Sequence, residues 1–261
     1  MNFSDKEIKD LIEGIESGAY DAFNLPVDYY NALTDYLKRA VFEGFGSNLT
    51  TVSGLDIDLL EELVTNVYMF GAAKAFQQTE EMRRLLFDED GVLRSSREFN
   101  RAARELYDNW TDNWGRTEYN TAVGQADMAA KWREIERSKD VMPNLEYSAV
   151  MDPNTSEICA PLDGIIAPVD DPIWDKITPL NHFNCRCLLL QTDQPATPDY
   201  QDRAGEVIKT IPDTFRNNPG KTGEIFTKDH PYFEVSNQYR DWAKQNFGLE
   251  LPKFSRNERN D

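Results

Sequence analysis

Three thiols and one imidazole fall between positions 159 and 187 of this 261-residue chain: Cys159, His182, Cys185 and Cys187. Together they form a Cys3His donor set of the kind that holds Zn2+ tetrahedrally. The Cys-x-Cys pair puts two successive thiols on one side of an extended segment. The His182-x2-Cys185 spacing suits a turn that presents both groups. The pair is one residue shorter than the Cys-x2-Cys of the usual structural knuckle. A plainer reading stays open: Cys187 packs inward as a small apolar group ahead of Leu188, and His182 is polar surface. A nucleophilic Cys185 would need His182 or His230 as base, an orienting group and an oxyanion hole. His182, only three residues away, is poorly placed for a dyad across a cleft. The chain contains no GxxxxGK[ST], GxGxxG or HExxH motif. Asp163, Asp170, Asp171 and Asp175 form an acidic set able to attract a cation, but such residues usually cap turns, as Asp163-Gly164 is expected to do. A disulfide between positions 185 and 187 would be strained. In a reducing compartment, metal ligation or plain thiols are expected instead.

The elements that position these groups follow from periodicity. Ser4 with Glu7 makes a capping box, and Ile8, Leu11, Ile12 and Ile15 follow at helical spacing to a stop at Gly18. A second helix is expected over residues 27–42, ended by Gly44 and Gly46. A third is expected from about residue 56, extending to 86. Asp88-Glu89-Asp90-Gly91 reads as a turn. Ser95 with Glu98 opens a proline-free stretch to Met142, expected as one long helix or as two broken near Gly115 or Gly124. Trp110 and Trp114, four apart on it, are expected to share a core face.

The character changes at Pro143. Residues 145–151 alternate and read as a strand, Asp152-Pro153-Asn154 as a turn, and residues 165–169 and 187–191 as two more strands. This unit of roughly 50 residues is too small to be stable without packing on helices or a staple such as a metal. Residues 194–199 read as a linker and 236–247 as a last helix, and the polar tail 255–261 is expected to fray.

Composition narrows the functions. The chain carries 28 basic and 46 acidic residues, a net charge of −18. DNA phosphates repel such a surface, which disfavours a dedicated nucleic-acid binder. No apolar run approaches the roughly 18 residues of a membrane span. The first residues do not pair a basic segment with an apolar one, so no signal peptide is expected and the site of synthesis is the expected compartment.

Residues 147–191 resemble the signature of phage Mu F-like minor head proteins. The matching pieces are Met151-Asp152, Cys159, Leu162-Asp163-Gly164, Asp170 to Trp174, Thr178-Pro179 and Asn184-Cys185-Arg186-Cys187. Upstream, Arg116-Thr117-Glu118 followed by Ala122 resembles the helix that precedes this block in the family. Downstream, the stretches at 215–221 and 230–233 resemble an extension found in some members. Where many members carry Cys-x2-Cys, this chain has Ser156 and Cys159; others have His at the position of Cys159. The resemblance implies a structural and assembly component rather than an enzyme. It implies action in head assembly, association with portal or major capsid protein, and a place in the virion interior after assembly in the host cytoplasm. Some members are fused to toxin domains, but no further domain with catalytic motifs is visible here. A zinc-stapled protein-binding adaptor and a toxin-type enzyme using the Cys/His cluster are the alternatives. The expected fold is α+β, a mainly helical N-terminal half with a small strand-and-turn domain packed on it. The expected division is a helical region at 1–94, the Mu F-like domain at 95–193 and a C-terminal extension at 194–261.

Overall fold

The computed structural model describes residues 4–254, so the tail 255–261 lies outside the described residues. Helix α1 spans Asp5–Glu16. Ser4 and Glu7 close the expected capping box, each side chain taking the other's backbone amide. Two of the amides that a helix start leaves orphaned are thereby satisfied. Gly18 follows in the left-handed region, at φ 77°. Helix α2, Val27–Phe45, runs through Gly44 and stops before Gly46. Gly44 belongs inside the helix because a Cβ there would lie 2.0 Å from the Val123 carbonyl oxygen. Helix α3 spans Ile57–Arg84, and α4, Ser96–Asn109, opens with a second capping box from Ser95 and Glu98.

After α4 the chain makes one π-helical turn, Trp110–Gly115, and continues as α5, Arg116–Ser138. The proline-free stretch is therefore broken at neither Gly115 nor Gly124. It does correct the aromatic stripe: Trp110 is buried, whereas Trp114 is 53% exposed. Hydrogen bonds in the wide turn span five residues, so the four-residue register that would align the two rings is lost.

The chain divides into two compact units. The first draws on Met1–Arg39, Val64–Tyr119 and Pro231–Asp261. Its core joins Ile8, Leu11, Ile12 and Ile15 of α1 to Phe76, Phe99, Ala103, Tyr107 and Phe247. Burying each large aliphatic or aromatic side chain contributes roughly 1.5–3 kcal/mol. Within this unit Lys74 and Glu118 form a buried ion pair, with the Lys74 ammonium 5.5 Å from the centre of the Tyr232 ring. Burial draws the Lys74 pKa down and the Glu118 pKa up. The expected last helix is broken. Its α-helical part is Arg240–Lys244, flanked by 3-10 turns at Asn237–Tyr239 and Asn246–Gly248. Asn246 and Phe247 adopt left-handed φ of 53° and 54°, which no helix continues through.

The second unit comprises Ala40–Leu63 and Asn120–His230. Strands β1 (Asn144–Ser148), β2 (Ile166–Pro168) and β3 (Leu188–Thr192) form an antiparallel sheet in the order β2-β1-β3. β1 ends sooner than its alternation suggests because the Ala149 amide donates to Asp163 Oδ1 at 2.9 Å and leaves the ladder. Leu145, Tyr147 and Leu189 point from the sheet into a core with Met128, Trp132 and Ile135 of α5 and with Trp174. Trp174 sits on a short helix, Trp174–Ile177, and its ring N–H donates to the Pro168 carbonyl at 2.8 Å. Ala204 and Val207 of a further helix, Tyr200–Ile208, complete this core with Phe215. The turn Pro219–Thr222 packs on α5, since a Cβ on Gly220 would fall 2.3 Å from the Cβ of Trp132. The architecture is α+β with a helical N-terminal half. Among the described residues no helix is long and apolar enough to cross a membrane.

Candidate metal centre

Two loops of the second unit bring the thiols and the imidazole together. The first loop leaves β1 through Asp152-Pro153-Asn154, where Asp152 Oδ1 accepts from the Asn154 amide at 2.8 Å. This Asx turn is what Asp before Pro favours. Ser156 Oγ then accepts from the Cys159 amide at 3.1 Å and holds Cys159 at the start of the 3-10 turn Ala160–Leu162. Leu162-Asp163-Gly164 closes the loop. Gly164 takes φ 71°, and its amide donates to the Tyr147 carbonyl at 2.9 Å.

The second loop is the expected His-x2-Cys turn. The Cys185 amide donates to the His182 carbonyl at 3.2 Å, with Asn184 at φ 60°. Asn is among the few residues that take this conformation readily. Arg186 ties the two loops together through paired hydrogen bonds of 2.7 and 2.8 Å to Asp152. That pairing, with the Asn154 amide, holds the Asp152 carboxyl down at about 2.

The donor atoms of Cys159, His182 and Cys185 all lie within 4.8 Å of one another. Cys159 Sγ is 3.2 Å from His182 Nε2 and 3.7 Å from Cys185 Sγ. Bonds of about 2.3 Å to sulfur and about 2.0 Å to nitrogen, set tetrahedrally, place donors about 3.5–3.8 Å apart. The separations fit a zinc-sized cation. Cys187 lies outside that triplet, though it is buried two residues beyond Cys185 and lines the same small cavity as Cys159 and His182.

The supporting groups favour ligation. His182 Nδ1 is 2.8 Å from the Phe183 carbonyl, which only accepts, so Nδ1 carries the proton and Nε2 presents its lone pair to the cluster. Tyr147 accepts from Asn181 Nδ2 at 2.9 Å and donates its hydroxyl proton to Cys159 Sγ at 3.4 Å. Hydrogen bonds from Cys185 and Cys187 hold the Cys159 thiol far below the ordinary thiol range, and the Cys185 and Cys187 thiols are pushed up in turn. A divalent cation would balance further thiolates.

Sequence reasoning named these four residues but passed over Ser156 and Tyr147 as site groups. Ser156 Oγ lies 2.8 Å from His182 Nε2 and accepts from the Cys159 amide. The signal was the Ser-x2-Cys spacing itself. The four aspartates do not form a cation site. Asp163 caps Ala149, Asp170 pairs with Lys139, Asp171 accepts from Tyr200 and Asp175 pairs with Lys221.

The cavity beside the cluster, lined by Ser156, Cys159, His182, Arg186 and Cys187 among others, holds about 20 Å³. That is water-sized, far below the roughly 300 Å³ at which small-molecule sites begin. Cys159 is 1% exposed, so a substrate has no approach to its sulfur.

A family model described as Phage Mu protein F like protein matches residues 94–190. "Putative capsid assembly protein F" of Escherichia phage Mu is 28% identical over 120 residues, which span 45% of this chain and 27% of that protein. The matched part is thus about a quarter of the relative's length. No solved structure matches the chain. Residues 94–190, from just before α4 into β3, are thus the part of this chain similar to phage Mu F-like proteins.

Proposed function

We propose that this chain is a minor head protein acting in phage head assembly, a structural component rather than an enzyme. One observation carries the reading: the stretch similar to the phage Mu proteins, residues 94–190, contains the whole Cys/His cluster and both loops that build it. Residues 95–193 act as the head morphogenesis domain, preceded by a helical region at 1–94 and followed by an extension at 194–261. Zn2+ held by Cys159, His182, Cys185 and Cys187 staples the two loops to the small sheet. Four protein donors close the coordination shell, which suits a structural rather than a catalytic ion.

The partners are portal protein, major capsid protein or both, and the place is the virion interior after assembly in the host cytoplasm. A net charge of −18 favours protein contacts over the packaged genome, because polyphosphate repels it. Co-expression with portal and with major capsid protein tests the reading. A complex that survives about 0.5 M salt, well past the screening of surface charges, is the expected result. Tight salt-sensitive DNA binding, or complexes with neither head protein, overturns it.

A further inference from the structure

The sheet of the second unit has two edges; Thr197 bonds to Ile166 along the β2 edge, and no strand covers the β3 edge. β1 is central and β3 is an edge. The Tyr147 amide donates to the Ile165 carbonyl and the Gly164 amide to the Tyr147 carbonyl, so Tyr147 spends both backbone groups on the β2 side. Polar groups alternate sides along a strand. Glu146 and Ser148 therefore face β3, where they pair with Leu190 and Leu188. It follows that the N–H and C=O of Leu189 and Gln191 point out of the sheet, and neither residue makes a backbone hydrogen bond on that edge among the described residues.

Such edges are usually blunted by a lysine, a proline, a bulge or a covering element. β3 reads Leu188-Leu189-Leu190-Gln191-Thr192 and has no charged residue or proline. Leu189 faces the core, while Leu188 and Leu190 are 42% and 47% exposed on the outer face. Exposed apolar groups continue past both ends of the β1–β3 ladder, at Met142 before β1 and at Val150 and Met151 after it. The charge that ends this edge is acidic: exposed Asp193 follows β3, and the nearby Arg186 is already paired with Asp152. A second copy would bring −18 against −18. The complement is a cationic segment.

We propose that the free edge of β3 takes an extended, basic segment of another protein as a fourth strand. Its backbone bonds to Leu189 and Gln191, its apolar side chains lie against Leu188 and Leu190, and its Lys or Arg residues, on the opposite face, reach Asp193 beyond the end of β3. This mode gets affinity from main-chain hydrogen bonds and selectivity from alternate side chains. It stands independently of the head-assembly reading.

The test uses the full chain and two synthetic ten-residue peptides, one alternating Lys and Val, the other Glu and Val. Amide hydrogen exchange is followed residue by residue. In the free chain the Leu189 and Gln191 amides exchange rapidly. Saturating Lys/Val peptide is expected to slow both at least ~10-fold, the protection of a strand bond worth about 1.4 kcal/mol, while the Glu/Val peptide leaves them unchanged. Leu188→Lys with Leu190→Lys, both outer-face changes, is expected to abolish the protection while circular dichroism stays that of the parent chain. Slow exchange at Leu189 and Gln191 without peptide overturns the proposal. So does protection that rises with protein concentration alone, which makes a second copy the occupant. Peptide binding with no protection at these two amides, a purely electrostatic association, also overturns it. If the double variant misfolds, the contrast between the two peptides on the parent chain still decides.

Discussion

His182 Nε2 lies 3.2 Å from Cys159 Sγ although 23 positions separate the two in the chain. With Nδ1 engaged by the Phe183 carbonyl, the imidazole reaches the thiols as an electron-pair donor. The purified chain is expected to carry about one Zn2+. Cys159→Ser and Cys185→Ser are expected to lose it, and a strong chelator to lower the Tm of the parent chain but not of these variants. Elemental analysis with thermal unfolding checks this. A metal-free parent with an unaltered Tm would show that the thiols only pack.

The fourth donor is decided by comparing two neighbours. Cys187 is a buried thiol lining the cavity beside the triplet, while Ser156 Oγ lies 2.8 Å from His182 Nε2 and accepts from the Cys159 amide. Cys187→Ser is expected to strip the metal. Ser156→Ala is expected to keep full occupancy with affinity lowered about 10-fold, the usual cost of losing an orienting contact. Competition titration with a zinc chelator measures both, and the reverse ranking would make Ser156 the ligand.

The Arg186–Asp152 bridge predicts a pH dependence. The Asp152 carboxyl is held at about 2, below the ordinary 3.8, first by Arg186 and then by the Asn154 amide. A carboxylate with a depressed folded-state pKa stabilises above its ordinary value and loses that contribution as pH falls through the folded one. The stability gap between the parent chain and Asp152→Asn is therefore expected to be full above about pH 4 and to close towards pH 2. Urea midpoints at several pH values read it, and a gap that does not vary with pH would contradict the bridge.

In the first unit, Lys74 and Glu118 are buried together. Lys74→Met alone is expected to cost about 3–5 kcal/mol because it strands a buried carboxylate. Lys74→Met with Glu118→Leu is expected to return close to parent stability. A double-mutant cycle in urea measures the coupling. Additive losses would mean that the pair contributes packing alone.

Gly220 is pressed against α5. A Cβ there would meet the Trp132 Cβ, Cγ and Cδ1, and the Trp132 Cβ cannot retreat without moving α5. Gly220→Ala is expected to destabilise by about 1–3 kcal/mol through overpacking. An unchanged Tm would place the turn off the helix.

Local chemistry was legible in the chain itself. Ser4 with Glu7 and Ser95 with Glu98 cap helices because a side chain three residues from a helix start reaches the orphan amides whatever surrounds it. The strands near Leu145, Ile166 and Leu189 and the His182–Cys185 turn were readable for the same reason: alternation and turn residues act over a few positions. The Cys/His set and the resemblance to phage Mu F-like proteins were also readable, because they lie in residue identity and spacing.

Tertiary structure decided what depends on distant partners. The wide turn after Trp110 moved Trp114 out to solvent, which no propensity of the two tryptophans signals. Asp163 ended β1 by taking the Ala149 amide from 14 residues away. Ser156 is a neighbour of His182 because the folded loops meet, held by the Cys159–His182 contact and the Arg186–Asp152 bridge. Which thiols meet, and which edge of the sheet stays bare, follows from loop closure and packing over tens of residues. Spacing along the chain names the donors, and only the folded path sets the distances between them.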